Sequence, residues 1–100
     1  MIEVNQVKLD EKITAQKVQE AKQAKRIALD TLTVTTTSGN IFDGNESARI
    51  NMVSAIAVAD IAGMTEKQWK LADNSVKLIT LVELKEALLL AILAVAEIVL

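Results

Sequence analysis

The last twenty-one residues, "TLVELKEALLLAILAVAEIVL" (80–100), constrain this chain more than any other segment. Thr80 and Glu83 fit a Thr-x-x-Glu capping box, and Ile79 with Leu84 fits the hydrophobic staple around it. A helix therefore starts at residue 81. Leu81, Leu84, Leu88, Ala91, Val95 and Ile98 recur at 3–4–3–4–3 spacing, which is one face of a helix. Val82, Leu89, Ile92, Leu93, Ala96 and Val99 are apolar as well, and the acids are confined to Glu83, Glu86 and Glu97. A helix this apolar around its circumference is either central or covered by a partner. In a chain of 100 residues it is hard to cover on every side, so self-association is expected, with Leu81, Leu84, Leu88, Ile92, Val95 and Val99 as the candidate interface. The run "ALLLAILAVAEIVL" has 14 residues and includes Glu97, whereas a membrane span needs about 20 apolar residues. A membrane partner is not expected.

What precedes this helix must complete a core with almost no aromatic residues. Phe42 and Trp69 are the only two, so Ala, Ile, Leu and Val must fill the interior, with Phe42 as a plug and Trp69 as an anchor. Residues 8–29 are rich in Lys, Gln, Glu and Ala and read as a helix with a thin apolar stripe, hence a solvated helix or linker over 1–29. Lys17, Lys22, Lys25 and Arg26 make its second half basic, but no aromatic residues interleave as single-stranded nucleic-acid binding would require.

"TLTVTTT" (31–37) alternates in a way that fits a strand with Leu32 and Val34 inward. "TSGN" then turns the chain into a short return strand at Ile41 and Phe42. Residues 46–62 form a second helix whose apolar stripe is Ile50, Val53, Ala57 and Ile61, widened by Met52, Ile56 and Ala59, with Gly63 ending it. "KQWKLADNSVKLIT" (67–80) reads as a second hairpin. Trp69 and Leu71 share a face of one strand, Val76 and Leu78 share a face of the other, and Lys70 and Lys77 point the opposite way; Asp73 and Asn74 make the turn. The fold class is α+β: three helices and two short β-hairpins, in the order helix-hairpin-helix-hairpin-helix, with residues 30–100 as the small α+β domain.

The candidate chemistry is sparse. There is no Cys, so thiolate metal sites and thiol nucleophiles are excluded, and no His, the most common general base. A net charge of −2 gives no general pull toward nucleic acid. Asp43, Asn45 and Glu46 resemble metal ligands at first sight. A calcium loop starting at Asp43 would need a Gly at its sixth position and a Glu at its twelfth; Ser54 occupies the twelfth and the Gly is missing. The same residues suit a helix start, with Asp43 or Asn45 as the N-cap and Arg49 one turn in. No phosphate loop or catalytic triad can be assembled from these residues. No cofactor, small-molecule substrate or enzymatic activity is expected, and "IEVNQVKLDEK" after Met1 lacks the apolar region of a signal peptide.

The strings "GNIFDGNESARI" (39–50), "WKLADNSVKL" (69–78) and the Thr-capped "ELKEALL" (83–89) resemble a family of uncharacterised domains found in bacteriophage and prophage tail proteins. The matching positions are Gly39, Phe42, Asp43, Ser47, Arg49, Ile50, Trp69, Asp73, Asn74 and Leu84, and the likeness lies in order and spacing. That family has no established catalytic residues. The resemblance implies a non-enzymatic structural or assembly module of a tail apparatus, located in the bacterial cytoplasm or the virion. Its partners would be further copies of itself or other tail proteins. A small adaptor or regulatory module presenting the last helix to a partner is the alternative.

Overall fold

The computed structural model describes residues 20–100. Its element order is α1 (20–30), β1 (Thr33–Thr35), β2 (Ile41–Asp43), α2 (Glu46–Ala62), β3 (Glu66–Lys70), β4 (Val76–Thr80) and α3 (Leu81–Val99). This is the expected α+β order of three helices and two hairpins. The part of the first helix assigned to residues 8–19 lies outside the described residues. From 20 onward α1 is solvent-exposed until Ala28 and Leu29, which are half-buried. It ends where the backbone N–H of Thr31 donates to Ile27 O at 3.0 Å and the Thr31 hydroxyl donates to the same oxygen at 2.8 Å.

The first hairpin is shorter than its β-branched run suggests. Only three residues pair on each side, with Val34 opposite Phe42. Beyond these pairs Thr36 is buried, and its N–H donates to Asn40 O at 3.0 Å in the same register, closing the loop in which Gly39 takes φ 91°. That left-handed φ is open to glycine at no steric cost. After β2 the chain passes close under α3 at Gly44. A Cβ added there would lie 3.2 Å from Leu32 Cγ and 3.3 Å from Ala91 Cβ, so the absence of a side chain allows the approach.

Asn45, not Asp43, caps α2. Its Oδ1 accepts from Ala48 N at 3.1 Å, while Asp43 is the last residue of β2, two residues before the cap. Glu46 places a carboxylate in the first turn. At the other end Gly63 adopts φ 69°, and both its N–H and that of Met64 bond to Ala59 O.

In the second hairpin Asn74 takes φ 69°, and Asp73 Oδ1 accepts from Ser75 N at 2.9 Å and from Ser75 Oγ at 2.6 Å. Register corrects the assignment of faces. Trp69 lies opposite Lys77, and Lys70 opposite Val76. Antiparallel partners project from the same side of a sheet, so Lys77 shares the face of Trp69 and only Lys70 points away. The inner residues are Leu71 and Ile79, and Val76 and Leu78 are exposed. Backbone hydrogen bonds tie the second hairpin to the rest: Ala72 N donates to Ile41 O at 3.0 Å, and Leu81 N donates to Thr65 O at 2.8 Å at the open end of the ladder.

Helix α3 is the hub, contacting α2, β1 and β4. Its inner face is Leu84, Ala87 and Ala91. Phe42, Met52 and Leu84 are the largest fully buried side chains, with Val34, Ala55, Leu71 and Ile79 around them. Trp69 is half-buried against this cluster, at its edge and not at its centre. The α2 stripe is also corrected. Met52, Ala55 and Ala59 face inward, whereas Ile50, Val53 and Ile61 are exposed, Ile61 to 88%. Small residues on both helices let the backbones come close and bring more atoms into contact, and that close approach takes precedence over burying the larger aliphatic stripe.

The cap assignment predicts unequal mutant costs. Asn45→Ala should lower stability by about 1 kcal/mol in chemical denaturation. Asp43→Ala should cost less than half of that, and equal losses would contradict the geometry.

Candidate interaction surface

The candidate surface is the outer side of the α2–α3 pair, where aliphatic residues are exposed. The two helices run antiparallel: Asp60, near the end of α2, lies 3.7 Å from Lys85, near the start of α3. Ile50 and Val53, near the start of α2, line a groove with Leu88 and Ile92 of α3. With hairpins and core covering their inner sides, both helices still present aliphatic side chains outward.

On α3 the exposed set is Val82, Leu89, Ile92, Leu93 and Val99. Val82 is 79% exposed and Leu89 56%. This only partly overlaps the expected interface. Leu84 is buried in the chain's own core and is not available to a partner. Leu81, Leu88 and Val95 are half-buried, and Leu88 packs against the core. Ile92 and Val99 are exposed as required. The sequence holds the missing signal: Val82, Lys85, Leu89, Ile92, Ala96 and Val99 repeat at the same 3–4–3–4–3 spacing, one residue later. One residue is about 100° of helix rotation, so this second seam points well away from the buried one. All six of its members are exposed.

On α2 the stripe Ile50, Val53, Ala57 and Ile61 is real as a pattern, but it faces solvent. Between the helices, the groove of about 310 Å³ is lined by Ile50, Val53, Leu88 and Ile92 together with Glu46, Arg49 and Ser54. Aliphatic exposure spread along two adjacent helices is the kind of surface that marks an interaction site.

The remaining singled-out residues have structural posts. Trp69 borders a cleft with Lys67, Lys70, Asp43 and Asn51 between α2 and β3. Arg49 is half-buried, and among the described residues its Nε is enclosed without a hydrogen-bond partner. It shares a shallow cleft with Lys22, Lys25 and Arg26 of α1, where Asp30 and Glu46 offset part of the charge. Thr80 Oγ1 accepts from Glu83 N at 3.2 Å, which is half of the expected capping box. The other half does not form. Instead, the Glu83 carboxylate accepts from Ser38 Oγ and, at 3.0 Å, from Asn40 Nδ2, both in the first hairpin's loop. Glu86, one turn on, accepts from Thr37 N and Thr37 Oγ1, both at 2.6 Å. Lys77 Nζ adds a 3.2 Å bond to Asn40 Oδ1. Two carboxylates three residues apart are thus used to hold a turn.

These contacts also set the proton chemistry. The Thr37 hydroxyl, then its N–H, hold Glu86 below the usual carboxylate range; the Ser75 hydroxyl and N–H do the same for Asp73. Both groups are stabilised as anions, the opposite of a carboxyl poised to donate a proton near neutrality. Among the described residues no group of three His, Cys, Asp or Glu is placed to hold a metal ion, and no helix is long and apolar enough to cross a membrane.

The family model described as a domain of unknown function (DUF4376) matches residues 12–97. No curated protein and no solved structure matches the chain.

The grip of Glu86 on Thr37 makes stability depend on acid. Its lowered folded-state pKa means the bond contributes above the ordinary carboxylate range and is lost as pH falls through the lowered value. Unfolding midpoints should therefore drop on acidification, and Glu86→Gln should flatten that part of the profile. An unchanged slope in the variant would contradict the assignment.

Proposed function

The chain belongs to the DUF4376 family of domains of unknown function, and from that premise we propose that it is a non-enzymatic assembly module that self-associates through the outer face of α3 and α2. The observation that carries this reading is the row of exposed aliphatic residues Val82, Leu89, Ile92, Leu93 and Val99 on α3, beside Ile50 and Val53. Leaving such a row in water forgoes roughly 25 cal/mol for each Å² of apolar surface that a partner would cover. The setting we propose is a phage or prophage tail apparatus. Its support is the resemblance in the strings around Phe42, Trp69 and Leu84, and the use of the chain's paired carboxylates as structural ties. The groove between α2 and α3 supports a second reading, an adaptor that accepts a partner's apolar segment along Ile50, Val53 and Ile92.

Solution mass separates the two. An assembly module is an oligomer at micromolar concentration, and Leu89→Asp or Leu93→Asp should weaken it at least ten-fold while helix content is retained. Leu84→Asp should unfold the chain. A wild-type monomer would contradict the assembly reading and favour the adaptor. The tail setting has its own test in the neighbouring genes: tail, baseplate or lysis genes support it, and a neighbourhood with no virion genes overturns it.

A further inference from the structure

We propose that two copies of this chain pair through α3 in antiparallel orientation, with Val82, Lys85, Leu89, Ile92, Ala96 and Val99 as the shared seam and Lys85 as the residue that sets direction. The inference rests on the self-association reading above and adds the geometry of the contact.

The seam has the heptad spacing by which helices pack side by side, and every position in it is exposed. Two copies related by a two-fold axis would present the same patch to each other, the commonest closed arrangement. Direction follows from charge. In a parallel, in-register pair Lys85 would lie against its own copy, with two like charges in one layer of an otherwise apolar seam. Such juxtapositions are costly. In the antiparallel pair Val82 meets Val99 of the second copy, Leu89 meets its Ile92, and Lys85 meets its Ala96. The small Ala96 leaves room for the lysine stem.

The partner's helix end is also short of positive charge. The last turn of α3 contains Glu97 and no basic residue, so its acidic side chain adds to the negative end of the helix dipole. Lys85 of one copy would supply a cation near that turn of the other, and the two-fold axis repeats the contact. Asp60, 3.7 Å from Lys85, holds the ammonium at the edge of the seam where it remains accessible, since both side chains are about half exposed.

The absence of cysteine makes orientation directly measurable by thiol cross-linking of the full chain. Val82→Cys and Val99→Cys are prepared separately, mixed and oxidised, and the products resolved by mass. Both positions are exposed, so the fold is retained. The expected product is the mixed Val82→Cys/Val99→Cys dimer, at least ten-fold in excess over either self-linked dimer. Lys85→Leu, added to both variants, should raise the self-linked products. Efficient self-linking of each single variant would show a parallel pair and overturn the antiparallel inference while self-association stands. An oligomer that forms no cross-link in any combination and survives Leu89→Asp would overturn the seam alone. A wild-type monomer would overturn both this inference and the reading beneath it.

Discussion

The packing of α3's small inner face, Leu84, Ala87 and Ala91, onto Phe42 and Met52 is the contact on which the other elements depend. Alanine at two of these three positions lets α3 lie close to α2 and to the link at Gly44. That closeness fixes where the first hairpin sits, and Glu83 and Glu86 hold its loop against the first turns of the helix. The second hairpin is then tied through Leu81 N and Ala72 N. Because a small domain buries a limited fraction of its surface, the side of α3 and α2 facing away from this core keeps its aliphatic side chains in water.

What could be read from the sequence was local. Element ends are set by short-range chemistry: Thr80 at the start of α3, Gly63 at the end of α2, Asp73 and Asn74 in their turn. Each of these acts within four residues, so its effect is visible without the fold. Faces depend on partners far along the chain. On α2 two apolar stripes compete, and the larger residues Ile50, Val53 and Ile61 lose to Met52, Ala55 and Ala59 because the nearest neighbour is another helix packed through alanines. On the second hairpin the pairing of Trp69 with Lys77 places the charge on the tryptophan's side, a choice that single-strand alternation cannot reveal. The same limit explains why Leu84 reads as interface from spacing alone: two seams of equal period lie one residue apart on α3, and only the packing says which of them is inside.

On the proposed reading one helix has two uses: its inner seam builds the chain's own core, and its exposed outer seam would meet a second copy. The polar residues that first suggest chemistry are occupied elsewhere. Asn45 caps α2, Asp73 closes a turn, and Glu83 and Glu86 hold the first hairpin. The proposed tail module and its adaptor alternative therefore both draw on the exposed aliphatic surface of the helices and not on the hairpins and their acids.

The concentration dependence of thermal unfolding tests this division of labour most directly. If the outer seam is covered by a second copy, folding and association are linked, and the midpoint must rise with protein concentration. For the wild-type chain the midpoint should increase steadily across a hundred-fold range of concentration. A midpoint that stays constant over that range would contradict it.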